Sequence, residues 1–390
     1  MRNLSRLGQG ARHEIVTFRQ RDCYVQEEKR IDTRSGGGAT RWVLETQTQL
    51  KPKKPMNTKS TNHRKLKTII VLTLTALALV ASRSSRGDAQ CNWYLPTNWT
   101  HTGTGDWFDS SNWDDGVPDC PFPTSIPNGG TAVISSTTQN AQACETFVSY
   151  NGGSGYLIVD GGNLHTCNQL HVGSQATGAL TIKNAGKVTT ISGADIGAST
   201  GSNGAAKIDG TNSSWTIAGG SSGTLYVAGI GAAGGTGLLT VTNGGIVFVG
   251  SVHVYAPGTL AGNGTVSAPN GTTIEGTLTP TVGQLAVSGD LTFHTTPGST
   301  STLECNVTPA SADNVSVSGS ATLTGKISVT MTGTTFTAGS TYTLLHANGG
   351  LNNTSFVTVS IKGGSGDCFT PLITYPSNNK DVNLYLSPCN

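Results

Sequence analysis

From about residue 150 onward, apolar and polar positions alternate in short runs, and each run is bracketed by glycine. Gly155-Tyr-Leu-Ile-Val-Asp-Gly-Gly puts Leu157 and Val159 on one face of an extended strand, because successive side chains of a strand point to opposite faces. Gly178-Ala-Leu-Thr-Ile-Lys-Asn-Ala-Gly does the same with Leu180 and Ile182, and Gly237-Leu-Leu-Thr-Val-Thr-Asn-Gly-Gly with Leu239 and Val241. A second short strand follows each first one: Gln169-Leu-His-Val-Gly173, Ala194-Asp-Ile-Gly197, Thr224-Leu-Tyr-Val-Ala-Gly229 and Ser251-Val-His-Val-Tyr255. The opening glycines Gly155, Gly178, Gly204 and Gly237 are 23, 26 and 33 residues apart, which suits one coil of a solenoid with a loop in the longest step. A single coil is too small to bury its own apolar face. Stacking coils ~4.8 Å apart pairs the backbone groups and encloses a continuous core. Corners need tight bends, hence Gly161-Gly162 and Gly244-Gly245. Strands are expected near 155–159, 178–182, 237–241 and 285–287. In the tail, 313–329 alternates at period two with Val315, Val317, Ala321, Leu323, Ile327 and Val329 inward, followed by strands at 341–346, around 356–361 and at 381–386.

Composition narrows the fold further. Charged residues make up 12% of the chain, about half the usual share, and Gly is 52 of 390 residues against an average near ~7%. Such a chain is a poor source of long helices and lacks the charge that keeps disordered chains open. The charge is also divided. Residues 1–90 carry 18 Lys+Arg and 7 acids, a net of +11, whereas 91–390 carry 6 Lys, no Arg and 15 acids, a net of −9. The later part has no basic patch to neutralise phosphates, so nucleic acid is not an expected partner.

The basic half holds a leader. Thr68 to Ser82 is an uncharged apolar run preceded by Arg64, Lys65 and Lys67 and followed by a small, polar stretch to Gln90. That is the layout of a secretory signal peptide, and the run is shorter than the ~20 apolar residues a membrane helix needs. Met56 stands just upstream as the expected start. We therefore divide the chain into an extension, 1–55, that is mis-annotated or disordered; a signal peptide, 56–90; a Trp/Cys-rich N-terminal cap, 91–144; β-helix repeats, 145–300; and a C-terminal β region, 301–390, that completes or caps the solenoid. The expected location is secreted or at the cell surface, periplasmic and outer-membrane sites included, with membrane contact only through the signal segment. Cys91, Cys120, Cys144, Cys167, Cys305, Cys368 and Cys389 contain no C-x-x-C pair and are expected to form disulfides in an oxidising compartment. Cys144 and Cys167 are one coil step apart, so spacing pairs them, with Cys91–Cys120 tying the cap, Cys368–Cys389 clipping the C-terminus and Cys305 left as a thiol. The rival is Cys120–Cys144.

Three pieces of the sequence carry a resemblance. Gly105-Asp-Trp107-Phe-Asp-Ser-Ser-Asn112-Trp113-Asp-Asp-Gly116-Val-Pro118 is similar to the W…NW…G-x-P opening of repeat regions in bacterial secreted β-helix proteins related to autotransporter passengers. The Gly-x-Leu-x-Val and Val-Gly coils resemble the associated repeats. The stretch from Leu260-Ala-Gly-Asn-Gly-Thr-Val266 through Gly283-Gln-Leu-Ala-Val-Ser-Gly289 and on to Leu345 is similar to the last passenger coils. No translocator barrel is expected after the repeats. The resemblance covers about 250 residues and implies an all-β chain: a right-handed parallel β-helix (β-solenoid) with a Trp-rich N-terminal cap and a β-rich C-terminal segment.

Candidate chemistry is sparse. Lyases on β-helices use an Arg base, and the later part has none. Glycoside hydrolysis needs clustered carboxylates, whereas Asp160, Asp195, Asp209, Glu275 and Asp290 are spread one per coil, mostly beside glycine turns. Asp114-Asp115 reads as a turn that caps the Trp-rich segment. The calcium-binding G-G-x-G-x-D repeat is absent, and His165, Cys167 and His171 lack a carboxylate in sequence to complete a metal site, so they read as surface and core. No cofactor or metal is expected. Trp93, Trp99, Trp107 and Trp113 lie within 21 residues. They either plug the open end of the solenoid or offer aromatic faces to sugars. The expected function is a structural or adhesive surface protein without catalytic activity, with surface glycans or extracellular matrix as partners. The alternative is a carbohydrate-binding or carbohydrate-active β-helix.

Overall fold

A computed structural model describes residues 96–219, 223–364 and 368–389. The signal segment, the extension before it, Cys91 and Trp93 lie outside the described residues. The described chain is all-β, and its one helical element is a 3-10 turn, Ser110–Asn112. Three sheets of 11, 11 and 10 strands run side by side along the molecule, and consecutive strands visit them in rotation. We call them sheets I, II and III in the order in which each coil crosses them. One coil consists of Gly155–Asp160 in sheet I, Asn163–Thr166 in sheet II and Gln169–Val172 in sheet III. The next consists of Thr177–Lys183, Lys187–Thr190 and Gly193–Ile196, each parallel to its predecessor. This is a β-solenoid, and the expected strands are all present: Gly155–Asp160, Thr177–Lys183, Thr236–Thr242 and Gln284–Ser288.

The register follows the glycines. Gly155 pairs with Gly178, Gly178 with Gly204 and Gly204 with Gly237. These positions cannot carry a side chain: a Cβ on Gly178 would lie 2.2 Å from the Val148 carbonyl oxygen, and one on Gly204 would lie 2.3 Å from that of Val172. In-register glycines put the apolar residues in register too. One inward column of sheet I runs from Ala132 through Leu157, Leu180, Ala206, Leu239 and Leu260 to Leu278. Its counterpart in sheet II runs through Leu164, Val188, Trp215, Val247 and Val266. All of these are buried. At roughly 25 cal/mol per Å2 of apolar surface, this stacking is the main stabilising contribution of each coil. Among the described residues the buried apolar side chains form one continuous cluster from Trp99 to Leu386.

The three sheets reach both ends of the described chain. The cysteine- and tryptophan-rich region already belongs to the sheets: Thr97–Asn98 and Thr124–Ile126 are strands of sheet III, and Thr104–Asp106 and Thr131–Ile134 of sheet I. The period-two tail at 313–329 is one complete coil rather than a continuous strand. It breaks into Asn314–Val317, Ala321–Thr322 and Lys326–Met331, which fall in sheets II, III and I. The alternation survives the breaks because the corners are short. The six residues expected to point inward are therefore still buried. Sheet II closes antiparallel, Thr341–Ala347 against Asp381–Pro388 and that against Phe369–Thr374.

The disulfide framework differs from the spacing argument. Cys167 is bonded to Cys120, two coils away, and not to Cys144. Neither Cys91–Cys120 nor Cys120–Cys144 therefore forms. Stacking does place Cys144 below Cys167, where the Asn168 N–H donates to the Cys144 carbonyl. But the Cys144 side chain is fully buried while Cys120 and Cys167 are half-buried at the same corner, so the two stacked cysteines occupy different environments. Cys144 is itself disulfide-bonded. Cys305 is a free, buried thiol, and burial raises its pKa. Cys368 and Cys389 are exposed thiols, hydrogen-bonded to each other rather than joined, at the mouth of the last hairpin.

Candidate functional site

Three of the four tryptophans named from sequence come together as core residues. Trp99, Trp107 and Trp113 are buried, with Trp113 edge-on to both others at ring-centre distances of 4.8 Å. The Trp113 indole N–H donates to the Trp107 carbonyl at 2.8 Å. Asp114 fastens the segment by accepting from the Asn98 backbone and side chain, both at 2.7 Å, as a turn-capping acid should. Sealed this way, the rings fill the first coil and present no open face to a ligand.

The outward faces differ in composition. The sheet I ladder runs Ile158, Thr181, Lys207, Thr240, Ala261 and Thr279, and the sheet II ladder runs His165, Thr189, Thr216 and Phe248. On sheet III the matching ladder reads Phe147, His171, Asp195, Tyr226 and His253, one residue per coil. Strand alternation sends these five outward while Val148, Val172, Ile196, Val227 and Val254 fill the core beneath.

At the N-terminal end of this ladder, His171 lies between two carboxylates from neighbouring coils. Its Nε2 donates to Glu145 Oε1 at 2.7 Å and its Nδ1 to Asp195 Oδ2. All three side chains are buried, and the Phe147 ring stacks on the imidazole at 4.6 Å with planes 12° apart. Burial opposes the charge on His171, but the hydrogen bonds to Asp195 and Glu145 outweigh it and raise the imidazole to about 9. One oxygen of each acid, Glu145 Oε2 and Asp195 Oδ1, is buried with no hydrogen-bond partner.

Asp195 also belongs to a groove of ≈ 500 Å3 on this face, lined by Gln169, Ser192, Thr224, Tyr226 and Ile230 among others. Beyond it the ladder stays aromatic. Tyr226 and Tyr255 have near-parallel rings at 6.3 Å, and His253 stacks on Tyr255 at 3.9 Å. Glu275 Oε1 accepts from His253 Nε2 at 3.1 Å and His294 Nδ1 at 3.2 Å. Among the described residues no group of three His, Cys, Asp or Glu is placed to hold a metal ion.

His171 is in the expected strand, but it has the carboxylate partners that the sequence does not show beside it, and Asp195 is a strand residue and not a turn acid. Asp195 is in mid-strand, and the coil step brings it to His171. Cys167 is committed to its disulfide. Asp160, Asp209 and Asp290 do serve turns: Asp160 accepts from Asn184 at 2.6 Å, Asp209 from Asn243 at 2.7 Å and Asp290 from the Ser320 N–H at 2.8 Å. Compared with known proteins, the chain matches no family model and no curated protein.

Proposed function

We propose that this chain is a secreted or cell-surface β-solenoid that acts by adhesion and not by catalysis, holding extended carbohydrate along the outward face of sheet III. The observation that carries the reading is the one-residue-per-coil ladder from Phe147 to His253. Stacked rings, a carboxylate cluster and a groove come together on this face, whereas no aromatic ring stands in the sheet I ladder of Ile158, Thr181, Lys207, Thr240, Ala261 and Thr279. Aromatic rings beside carboxylate and amide groups are what a pyranose ring needs: an apolar platform and hydrogen-bond partners at its edge. The non-catalytic half of the proposal is supported by His171, whose two ring nitrogens both hydrogen-bond to carboxylates, so neither is directed at a substrate. Export is supported by the apolar run at Thr68 to Ser82 and by the Cys120–Cys167 disulfide. The solenoid is taken as right-handed, in keeping with the strong general preference for right-handed crossovers between parallel strands.

A glycan array probed with the exported protein tests this. Binding is expected, with Tyr226→Ala weakening it at least tenfold and Thr181→Ala on sheet I leaving it unchanged. A blank array, or equal loss from both substitutions, would reject sheet III as the binding face.

A further inference from the structure

We infer that the groove beside Asp195 and Tyr226 selects a cationic amino sugar, a pyranose with a free ammonium group, over neutral, N-acetylated or acidic sugars. The inference rests on the carbohydrate-binding reading of sheet III and adds the class of sugar.

Charge is the first argument. The Glu145–His171–Asp195 cluster sets two acidic side chains against one basic one, an excess of one acid. No strand of sheet III among the described residues contains a lysine or arginine. Lys183, Lys207, Lys326 and Lys362 are on sheet I, Lys187 is on sheet II and Lys380 is in a turn. The excess acid therefore has no cation of the same face to offset it. Residues 91–390 as a whole carry a net of −9, which draws cations in and turns polyanions away.

Hydrogen bonding is the second. Asp195 is 2% exposed, lines the groove, and has its Oδ1 buried without a partner while Oδ2 is taken by His171. A buried carboxylate oxygen lacking a donor is unusual, because such groups are costly to leave unsatisfied. An ammonium group meets both deficits at once, charge and donor, through a charge-assisted hydrogen bond. An N-acetyl group offers one neutral N–H and added bulk, and a uronate brings a like charge.

Shape is the third argument, and it favours a sugar over a free amine or a lysine side chain. The half-buried Tyr226 ring lines the groove as an apolar surface for a pyranose and is backed by the buried Tyr255 ring. Gln169, Ser192 and Thr224 line the same groove with amide and hydroxyl groups suited to ring hydroxyls.

The test is calorimetric titration of the exported, disulfide-intact chain with five probes: a glucosamine tetrasaccharide, its fully N-acetylated counterpart, a neutral glucose tetrasaccharide, a uronate tetrasaccharide and a tetralysine peptide. The glucosamine probe is expected to bind at least tenfold tighter than any other, and its affinity to fall as salt is raised. Asp195→Asn should remove the preference. Because that change also touches His171, Gln169→Ala provides a second variant on the groove wall, expected to weaken glucosamine binding several-fold with an unchanged melting profile. If the neutral or acetylated sugar binds as tightly as glucosamine, the choice of amino sugar is overturned while carbohydrate binding stands. If tetralysine equals glucosamine, the groove is an amine site and the sugar assignment is overturned. If no saccharide binds, both readings fall.

Discussion

His171 shows how a single residue takes its character from neighbours distant in sequence. An isolated imidazole titrates near ~6.5. Held between Asp195 and Glu145, this one is raised to about 9. The sign of the consequence follows from linkage. Between those two values the folded protein keeps a proton that the unfolded chain releases, so the stabilisation is complete below about pH 6.5 and is lost as pH rises through 9. A shift of that size corresponds to on the order of 3 kcal/mol. His346, raised by its hydrogen bond to Asp381, acts in the same direction but is partly exposed and solvent-screened. Urea denaturation at pH 6 and pH 10 should therefore show a large drop in the wild-type protein and a much smaller drop in His171→Gln. Equal drops would place the pH sensitivity elsewhere. The ladder that holds His171 could be read from the repeat: aligning Leu170-His-Val with Ala194-Asp-Ile and Leu225-Tyr-Val puts His171, Asp195 and Tyr226 in one column. What could not be read was that Glu145, at a corner outside the repeat, reaches the other nitrogen. Nor could burial be read on an outward face, because it depends on side chains from three coils closing over one another.

At the level of the strand and its corners, the sequence was most informative where glycine and alternation agree. The Gly155, Gly178, Gly204 and Gly237 alignment is the register itself, since a Cβ at these sites meets the backbone of the coil before. Gly204→Ala should accordingly cost about 2–3 kcal/mol in chemical denaturation, whereas Ala205→Ser, one residue on and facing outward, should be close to neutral. An unperturbed Gly204→Ala would mean that coil spacing is set by something other than these contacts. Alternation alone misled at 313–329, because a period of two passes through a short corner unchanged, and strand and coil then look alike. Cysteine spacing misled in a related way. A 23-residue step correctly stacks Cys144 under Cys167, but spacing does not report which stacked side chain is sealed in the core and which sits at the corner. Cys120 reaches Cys167 past the intervening coil.

For the molecule as a whole, a core built from nearest-neighbour coils has no single centre, so stability is close to a sum of local terms and the ends are where it fails first. The N-terminal end has the tryptophan-filled first coil and the Cys120–Cys167 bridge, whose residues are 47 apart in sequence. Closing a loop of that length contributes about 4 kcal/mol in the chain-entropy account. Replacing both cysteines by serine should therefore speed hydrogen exchange in strands from Thr124–Ile126 to Gln169–Val172 and leave Thr236–Thr242 and Lys326–Met331 protected. A uniform change along the chain would show that the bridge stabilises the whole fold and not its end. The same bridge has a mechanical consequence. In a stacked solenoid pulled end to end, tension runs along the axis, and the hydrogen-bonded rungs between coils carry it in series, so each coil can peel away alone. One 23-residue coil peeled from the stack pays out roughly 80 Å of extended chain. The covalent link removes its enclosed segment from that reserve, so under load the molecule has a fixed collar at one end and a row of separately yielding rungs beyond it. A tether of this kind absorbs a pull in steps instead of parting at once.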